Sequence, residues 1–322
     1  MRVVADSDLD GLMAAAVLKA SKPEIEVHFA HPALLRSGNL DHLIDRQTAI
    51  CDLPFHKDCG LYLDHHLTNR PTHEEEVEFE STGGICHWRD TPSAARAAYD
   101  LMKDELDLSH LEEVMPIVDS LDSGGISLQE FMEDGPVIRL SRSLSMSDPE
   151  HMQEVMQQFA SGVKLVDILE SHKPRLDDLK QEREIMAKIV RNRTKIIDGL
   201  AICDLSETGH RSNGYLVTAL AGSDAIACCV IHGYMDGSIE DVNRPALGAS
   251  FYANSFRGED NPYDLSILAT LLDETGGGHA NACGCRIQPS DGSKRNLIQG
   301  DKESNLEKWI EKWSKRDTEM KR

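Results

Sequence analysis

Acidic residues follow each of three short apolar runs in the first 66 residues. They are Asp6, Asp8 and Asp10 after the run at 3–5, Asp52 after the run at 48–51, and the triplet Asp64-His65-His66 at the end of the run that begins at Leu61. In open α/β sheets, ligands bind beyond the carboxyl ends of parallel strands. If the three runs are such strands, their acids meet at one edge of the sheet and form a metal site.

The donor types indicate which metal and which chemistry. Carboxylates with one or two imidazoles suit Mn²⁺ or Mg²⁺, because these ions prefer hard oxygen ligands. This number of acids can hold two ions, and a pair about 3.5–4 Å apart can bind a water molecule and a phosphoryl oxygen, which indicates phosphoryl hydrolysis. Calcium is disfavoured: the stretch from Asp6 to Gly11 opens like an EF-hand loop, but its twelfth position is Val17 instead of Glu.

Apolar periodicity predicts the elements that position these residues. The predicted elements of the N-terminal part are strand 3–5, helix 12–20, strands 25–30, 48–51 and 61–63, and helices 94–102 and 111–121, the last of which carries Asp119. A charged helix over 175–193 connects this part to predicted strands at 200–203, 226–231 and 247–251. An exposed amphipathic helix is predicted over 305–316.

The chain is long enough for two domains. We predict an α/β fold with an N-terminal parallel-sheet domain over 1–172, a connecting helix over 173–195 and a smaller α/β domain over 196–322. The active-site cleft is expected between the domains. In the second domain, Gly276, Gly277 and Gly278 allow backbone N–H groups to approach an anion, and His279 can bind a phosphate oxygen. A plain turn is the alternative interpretation, and Arg257 is the predicted cationic partner of a substrate phosphate.

Charge and composition restrict the partners. The net charge of −21 argues against a sequence-independent grip on long duplex nucleic acid. Aromatic residues make up only 5% of the chain, which disfavours an extended platform for stacking single strands. A signal peptide and an apolar run long enough to span a membrane are both lacking, so we expect a cytoplasmic protein without a membrane partner. A homodimer is compatible with the sequence.

Taken together, these motifs resemble the DHH phosphoesterase family, which is named for the triplet at 64–66. The segments that carry the resemblance are 6–11, Asp52, 64–66, 118–122 and 276–284. The last segment is similar to the glycine-rich signature of the family's associated C-terminal domain. Val4 stands where the pyrophosphatase-like branch has a histidine, so the first motif looks more like the RecJ-type branch.

The resemblance implies a role for each matched residue. The implied metal ligands are Asp8 on one ion, Asp10 on the other, Asp52 bridging both, His65 and Asp119 as further ligands, Asp6 in support of the first ion, and Asp122 as the alternative to Asp119. His66 would lie near the leaving group, where an imidazole can donate a proton or orient phosphate.

The implied activity is Mn²⁺-dependent hydrolysis, with Mg²⁺ or Co²⁺ able to substitute. The expected substrates are phosphodiester or phosphomonoester bonds of short oligonucleotides or small nucleotides, as in oligoribonucleases and nucleotide phosphatases. An exopolyphosphatase is the alternative enzyme. A noncatalytic sensor that binds a nucleotide is the alternative from another class of protein.

Overall fold

A computed structural model describes residues 1–244, 246–258 and 261–322. The chain divides into two compact units, Met1–Lys180 and Gln181–Arg322. The domain boundaries predicted from the sequence stay a prediction. In the described part of the chain, every helix is too short or too polar to cross a membrane.

The first unit is built on a five-stranded parallel sheet in the order β2-β1-β3-β4-β5. Its strands are β1 (Arg2–Asp6), β2 (Glu26–Ala30), β3 (Thr48–Cys51), β4 (Leu61–Asp64) and β5 (Ile85–Trp88). Its helices are α1 (Leu9–Ser21), α2 (Pro32–Arg36), α3 (His73–Ser81), α4 (Ala94–Met102), α5 (Met115–Asp122), α6 (Leu128–Glu133), α7 (Pro136–Ser143), α8 (Pro149–Ala160) and α9 (Leu165–Ser171). Helix α10 (Lys173–Arg193) runs from this unit into the second.

The central strands of this sheet are apolar because both faces are covered. All four residues of β3 are buried, and Val3, Val4 and Ala5 of β1 are fully buried. Helix α1 is buried from Leu9 through Leu18, which explains why its sequence is apolar nearly all round. This packing holds the carboxyl ends of β1, β3 and β4 at one edge of the sheet.

The second unit contains a six-stranded mixed sheet in the order β10-β11-β9-β8-β7-β6. Its strands are β6 (Thr194–Ile197), β7 (Leu200–Asp204), β8 (Ala227–His232), β9 (Gly248–Ala253), β10 (Gly277–His279) and β11 (Ala282–Arg286). Its further helices are α11 (Gly214–Ala221), α12 (Ser266–Thr270), α13 (Asp301–Ser314) and α14 (Arg316–Glu319). Only the pairing of β7 with β8 is parallel among these described strands.

The predicted fold class is confirmed: the chain has a parallel N-terminal sheet and a second, mixed α/β unit. The expectation of an exposed terminal helix is wrong. Trp309 and Trp313 of α13 are 0% and 1% exposed, and the Trp309 ring meets Phe251 edge-on at 5.2 Å. The two indoles therefore form part of the second core.

Candidate metal centre

Three strands and two helices bring the acidic residues of the first unit together. Asp6 ends β1, Asp52 directly follows β3, and Asp64 ends β4. Because these strands are parallel, all three acids lie at the same edge of the sheet. Asp8 caps α1 by accepting a hydrogen bond from the Gly11 backbone N–H at 3.0 Å. Gly11 has no room for a side chain, since a Cβ there would lie 2.5 Å from the Asp6 carbonyl oxygen.

His65 is the point at which three carboxylates converge. Its Nε2 lies 3.0 Å from Asp122 Oδ2, 3.6 Å from Asp10 Oδ2 and 3.9 Å from Asp52 Oδ1. His66 Nδ1 lies 3.4 Å from the same oxygen of Asp52. Two overlapping groups of residues could each hold a metal ion. Within each group, one ligand atom of every residue lies within 4.8 Å of the others; the groups are Asp10, His65 and Asp122, and Asp52, Asp64, His65 and His66.

The donor atoms at this point fit a divalent cation. Within the described residues, Asp52 Oδ1 and His65 Nε2 are buried and make no hydrogen bond. His65 Nδ1 lies 3.0 Å from the carbonyl oxygen of Thr91, which can only accept, so Nδ1 is protonated and Nε2 is the ring nitrogen that offers its lone pair when the ring is neutral. A buried carboxylate oxygen without a partner is costly, and a bound cation removes that cost.

Asp10 is held by the beginning of a helix. Its two carboxylate oxygens accept hydrogen bonds from the backbone N–H groups of Ala94 and Ala95, each at 2.7 Å. These N–H groups begin α4 and have no partner within the helix. The carboxylate is thereby fixed in place while lone pairs remain for a metal.

Burial and mutual repulsion oppose ionisation of the acids. Burial is the main cause that raises the pKa of Asp10 to about 8, and the charge of the neighbouring Asp122 is the second. Burial, followed by Asp10, raises the pKa of Asp52 well above its ordinary value. Asp6 follows the same pattern, with burial and then Asp8 raising its pKa to about 6. Such crowding of carboxylates is typical of a centre that binds cations.

Asp52 also has an unusual backbone conformation. Its φ of +58° lies in the left-handed region, which Asp and Asn tolerate better than most residues. Its side chain is only 2% exposed. The main chain is thus bent directly after β3 to direct this carboxylate towards His65 and His66.

Asp64, the first residue of the triplet, has a role that the sequence does not predict separately. It is fully buried and accepts hydrogen bonds from the Tyr62 hydroxyl at 2.7 Å and from the His65 N–H at 2.7 Å. Its Oδ1 also lies 3.0 Å from His66 Nδ1. Although burial alone would raise it, the pKa of Asp64 is lowered, because His66 and Tyr62 donate to its carboxylate. The same contact raises the pKa of His66.

The structure separates the two acids of α5. Asp119 forms an ion pair with Arg96, with Oδ2 and Nη2 2.5 Å apart, and accepts a hydrogen bond from Ser93 Oγ at 2.7 Å. Asp122, one turn later, is the residue that contacts His65. Asp119 therefore holds Ser93, the residue that caps α4, and the geometry favours Asp122 as the ligand on this helix. The implied ligand role of Asp119 stays a prediction.

Two of the three consecutive glycines of the second unit lie in a strand and not in a plain turn. Gly277 to His279 form β10, which pairs with β11. A Cβ on Gly276 would lie 2.3 Å from the Ala269 carbonyl oxygen, so this glycine is required for close packing of the backbone. Gly278 has a φ of +134°, which favours glycine as well. His279 and Arg257 are exposed, and their role in binding phosphate stays a prediction.

No protein-family model matches this sequence, and no curated protein does either. Solved structures show that the chain shares its fold with a phosphodiesterase and an exonuclease. The chain is similar to the pGpG-specific phosphodiesterase PggH from Vibrio cholerae, with a TM-score of 0.76 and 19% identity over 98% of this chain and 99% of that one.

Two RecJ structures, one of them described as an exonuclease, are also similar to the chain. RecJ bound to manganese has a TM-score of 0.55 and 12% identity over 99% of this chain and 90% of that one. RecJ from Thermus thermophilus in complex with Mg²⁺ has a TM-score of 0.50 and 11% identity over 100% of this chain and 50% of that one. At these identities the comparisons show a shared fold.

Proposed function

We propose that the chain is a divalent-metal-dependent phosphoesterase that hydrolyses phosphodiester or phosphomonoester bonds of short oligonucleotides or small nucleotides. The observation that carries the proposal is the convergence of Asp10, Asp52 and Asp122 on Nε2 of His65. The similarity to PggH over nearly the whole of both chains supports a short, dinucleotide-sized substrate. The RecJ structures with Mn²⁺ and Mg²⁺ support a divalent metal.

The residues present can hold two ions, for which Mn²⁺ is our first choice and Mg²⁺ or Co²⁺ the substitutes. Asp52 is the candidate bridge, because its unpartnered Oδ1 lies near both histidines. Asp8 would hold one ion with support from Asp6, and Asp10, His65 and Asp122 would hold the other. When bound, the ions would activate water and neutralise phosphoryl charge.

His66 is suited to act on the substrate. His66 Nδ1 donates a hydrogen bond to Asp64, which holds the His66 ring in one orientation. Nε2 of His66 is left for a phosphate or leaving-group oxygen. The side chain is 44% exposed, unlike that of His65, which is 10% exposed. The arrangement resembles the way in which a carboxylate orients a catalytic histidine in hydrolases. The phosphate itself would be bound by His279, Arg257 and the glycines from Gly276 to Gly278.

A substrate panel tests this proposal. The purified chain in Mn²⁺ is given 5′-phosphorylated dinucleotides, two- to five-residue RNA, a 3′-phosphorylated adenosine nucleotide and polyphosphate. We expect mononucleotide or phosphate release from the nucleotides, and none from polyphosphate. Release of orthophosphate from polyphosphate alone would establish the exopolyphosphatase instead. Nucleotide binding without turnover, unchanged by Asp52→Ala, would establish the sensor.

Variants connect the activity to this centre. Replacement of a histidine that donates a proton to the leaving group typically lowers the reaction rate about 10²–10⁴-fold. We therefore expect His66→Gln to lower kcat by that factor while Mn²⁺ binding stays near the wild-type affinity. The matched control is Asp100→Asn, which removes an exposed carboxylate paired with Lys103. Equal losses in both variants, or full activity of His66→Gln, would contradict the assignment.

A further inference from the structure

Two buried histidines of the first unit lie against each other outside the acidic centre. His151 on α8 is 6% exposed and His172, directly after α9, is 8% exposed. Their ring centroids are 4.9 Å apart at an interplanar angle of 82°. Glu154, one turn after His151, completes the group: one ligand atom of each side chain lies within 4.8 Å of the other two.

The hydrogen bonds of His151 determine which ring nitrogen is protonated. Its Nε2 lies 2.8 Å from Ser143 Oγ. The Ser143 hydroxyl donates its own proton to the Leu140 carbonyl oxygen at 2.6 Å, so Ser143 Oγ accepts from the ring. Nε2 of His151 therefore carries the proton and Nδ1 carries a free lone pair.

The same accounting applies to His172. Its Nε2 lies 2.9 Å from Gln158 Oε1, which can only accept. The orientation of that amide is set on its other side, where Gln158 Nε2 donates to Ser171 Oγ at 3.2 Å and Ser171 in turn donates to Ile168 O at 2.8 Å. His172 is thereby also protonated at Nε2. Neither Nδ1 makes a hydrogen bond to any residue in the described ranges.

We propose that His151, His172 and Glu154 bind one zinc ion through the two Nδ1 atoms and the carboxylate. Two imidazoles and a carboxylate are a donor set typical of Zn²⁺, and three protein ligands leave the fourth position for water. Metal-binding histidines usually donate their second ring N–H to a fixed acceptor, as Ser143 and Gln158 provide here. Mn²⁺ and Mg²⁺ prefer oxygen donors and suit the acidic centre better.

The surroundings keep the imidazoles ready for a metal. His151 is buried and lies near Arg175, and both effects lower the pKa of its ring. The neutral ring is the form that binds a metal. Arg175 itself is paired with Asp148 at 2.5 Å, which offsets part of its repulsion of a cation. An ion at this position ties α8 to the start of α10, because Lys173, the first residue of α10, follows His172. The zinc site therefore stabilises that junction of the first unit.

The test counts zinc bound by the full chain after removal of metals, addition of Zn²⁺ and gel filtration. We expect His172→Gln and Glu154→Gln to bind one zinc equivalent fewer than the wild type. His110→Gln is the matched control, because His110 Nε2 bonds the Phe159 carbonyl oxygen at the end of α8, outside the three-residue group. Gln158→Leu removes the acceptor that orients His172, together with the hydrogen bond from Gln158 to Ser171, and leaves the three proposed ligands in place. We expect its zinc affinity to fall about 10–100-fold.

The zinc count can be separated from a failure to fold and from the phosphoesterase activity. If His172→Gln fails to fold, Glu154→Gln decides, since Glu154 is exposed on α8. A folded Glu154→Gln or His172→Gln chain that keeps every zinc equivalent of the wild type would overturn the proposal. Loss of zinc that occurs only with Asp52→Asn would also overturn it, because all zinc would then lie in the acidic centre. Zinc counting needs no turnover, so the outcome is independent of the proposed phosphoesterase activity.

Discussion

Asp52→Asn should stabilise the metal-free protein while it removes the response to metal. Asp52 is 3% exposed, and burial and Asp10 raise its pKa well above 3.8. Asn has nearly the same shape and also tolerates the left-handed backbone at this position. The substitution therefore removes a buried ionisable group with little change of packing.

The magnitude follows from the proton balance. Some carboxyl groups are ionised in the unfolded chain but stay protonated in the folded one. Such a group lowers the free energy of unfolding by about 1.4 kcal/mol for each pH unit above its ordinary pKa. The largest possible loss of stability is that of a group fully protonated in the folded state, which is about 4 kcal/mol at pH 7 and about 2 kcal/mol at pH 5. A raised pKa means that the folded state binds more protons, so stability grows as the pH falls. The gain from Asp52→Asn must therefore be larger at pH 7 than at pH 5.

Urea unfolding in EDTA and in Mn²⁺, at both pH values, measures these differences. In EDTA we expect Asp52→Asn to gain about 2–4 kcal/mol at pH 7 and less at pH 5. In Mn²⁺ at 100 times its Kd, the wild type should gain about 2.7 kcal/mol from one bound ion, and the variant far less. A variant less stable than the wild type in EDTA, a gain independent of pH, or an undiminished response to Mn²⁺ would refute the reasoning.

Three further predictions address particular contacts. Asp122→Asn should weaken Mn²⁺ binding at least tenfold, because Asp122 contacts His65, whereas Asp119→Asn should change it less than Asp122→Asn does; calorimetric titration of both variants decides between them. Gly276→Ala should destabilise the second unit by about 1–3 kcal/mol in urea unfolding, as overpacking does. Gly277→Ala is its control, because a Cβ there meets nothing within 4 Å, and equal losses would contradict the packing explanation. Asp301 is paired with Arg295, which lowers its pKa below 3.8, so the stability from this pair is present above that pH and is lost as the pH falls. Asp301→Asn should therefore flatten the loss of stability between pH 5 and pH 3, and an unchanged slope there would exclude this pair as a cause.

Much of the centre could be predicted from local sequence. An apolar run that ends in acid indicates a buried strand with a polar end, and parallel strands place such ends at one edge. Asp10, Asp52 and His65 are therefore recognisable before any coordinates are known, and the structure does bring them together. The two halves of the fold were likewise predictable, because strand and helix periodicity is a property of short segments.

Other features depend on partners far away in the chain. Asp119 and Asp122 lie one turn apart on α5, and contacts with Arg96 of α4 and with Ser93, which caps α4, direct Asp119 away from His65. A plain turn is the alternative interpretation of the glycine run, but pairing with β11 places Gly277 and Gly278 in a strand. The indoles of α13 are buried because a second core covers them, which periodicity alone does not reveal.

The sequence by itself determined the types of donor, their order and the strands and helices that carry them. The tertiary structure decided which donors meet: it placed Asp122 at His65, Asp64 behind His66, and His151 beside His172, 21 positions later in the chain. The physical reason is the distance along the chain over which each effect acts. Propensity and periodicity act over a few residues, whereas a metal centre depends on distances of a few ångströms between side chains that only packing brings together.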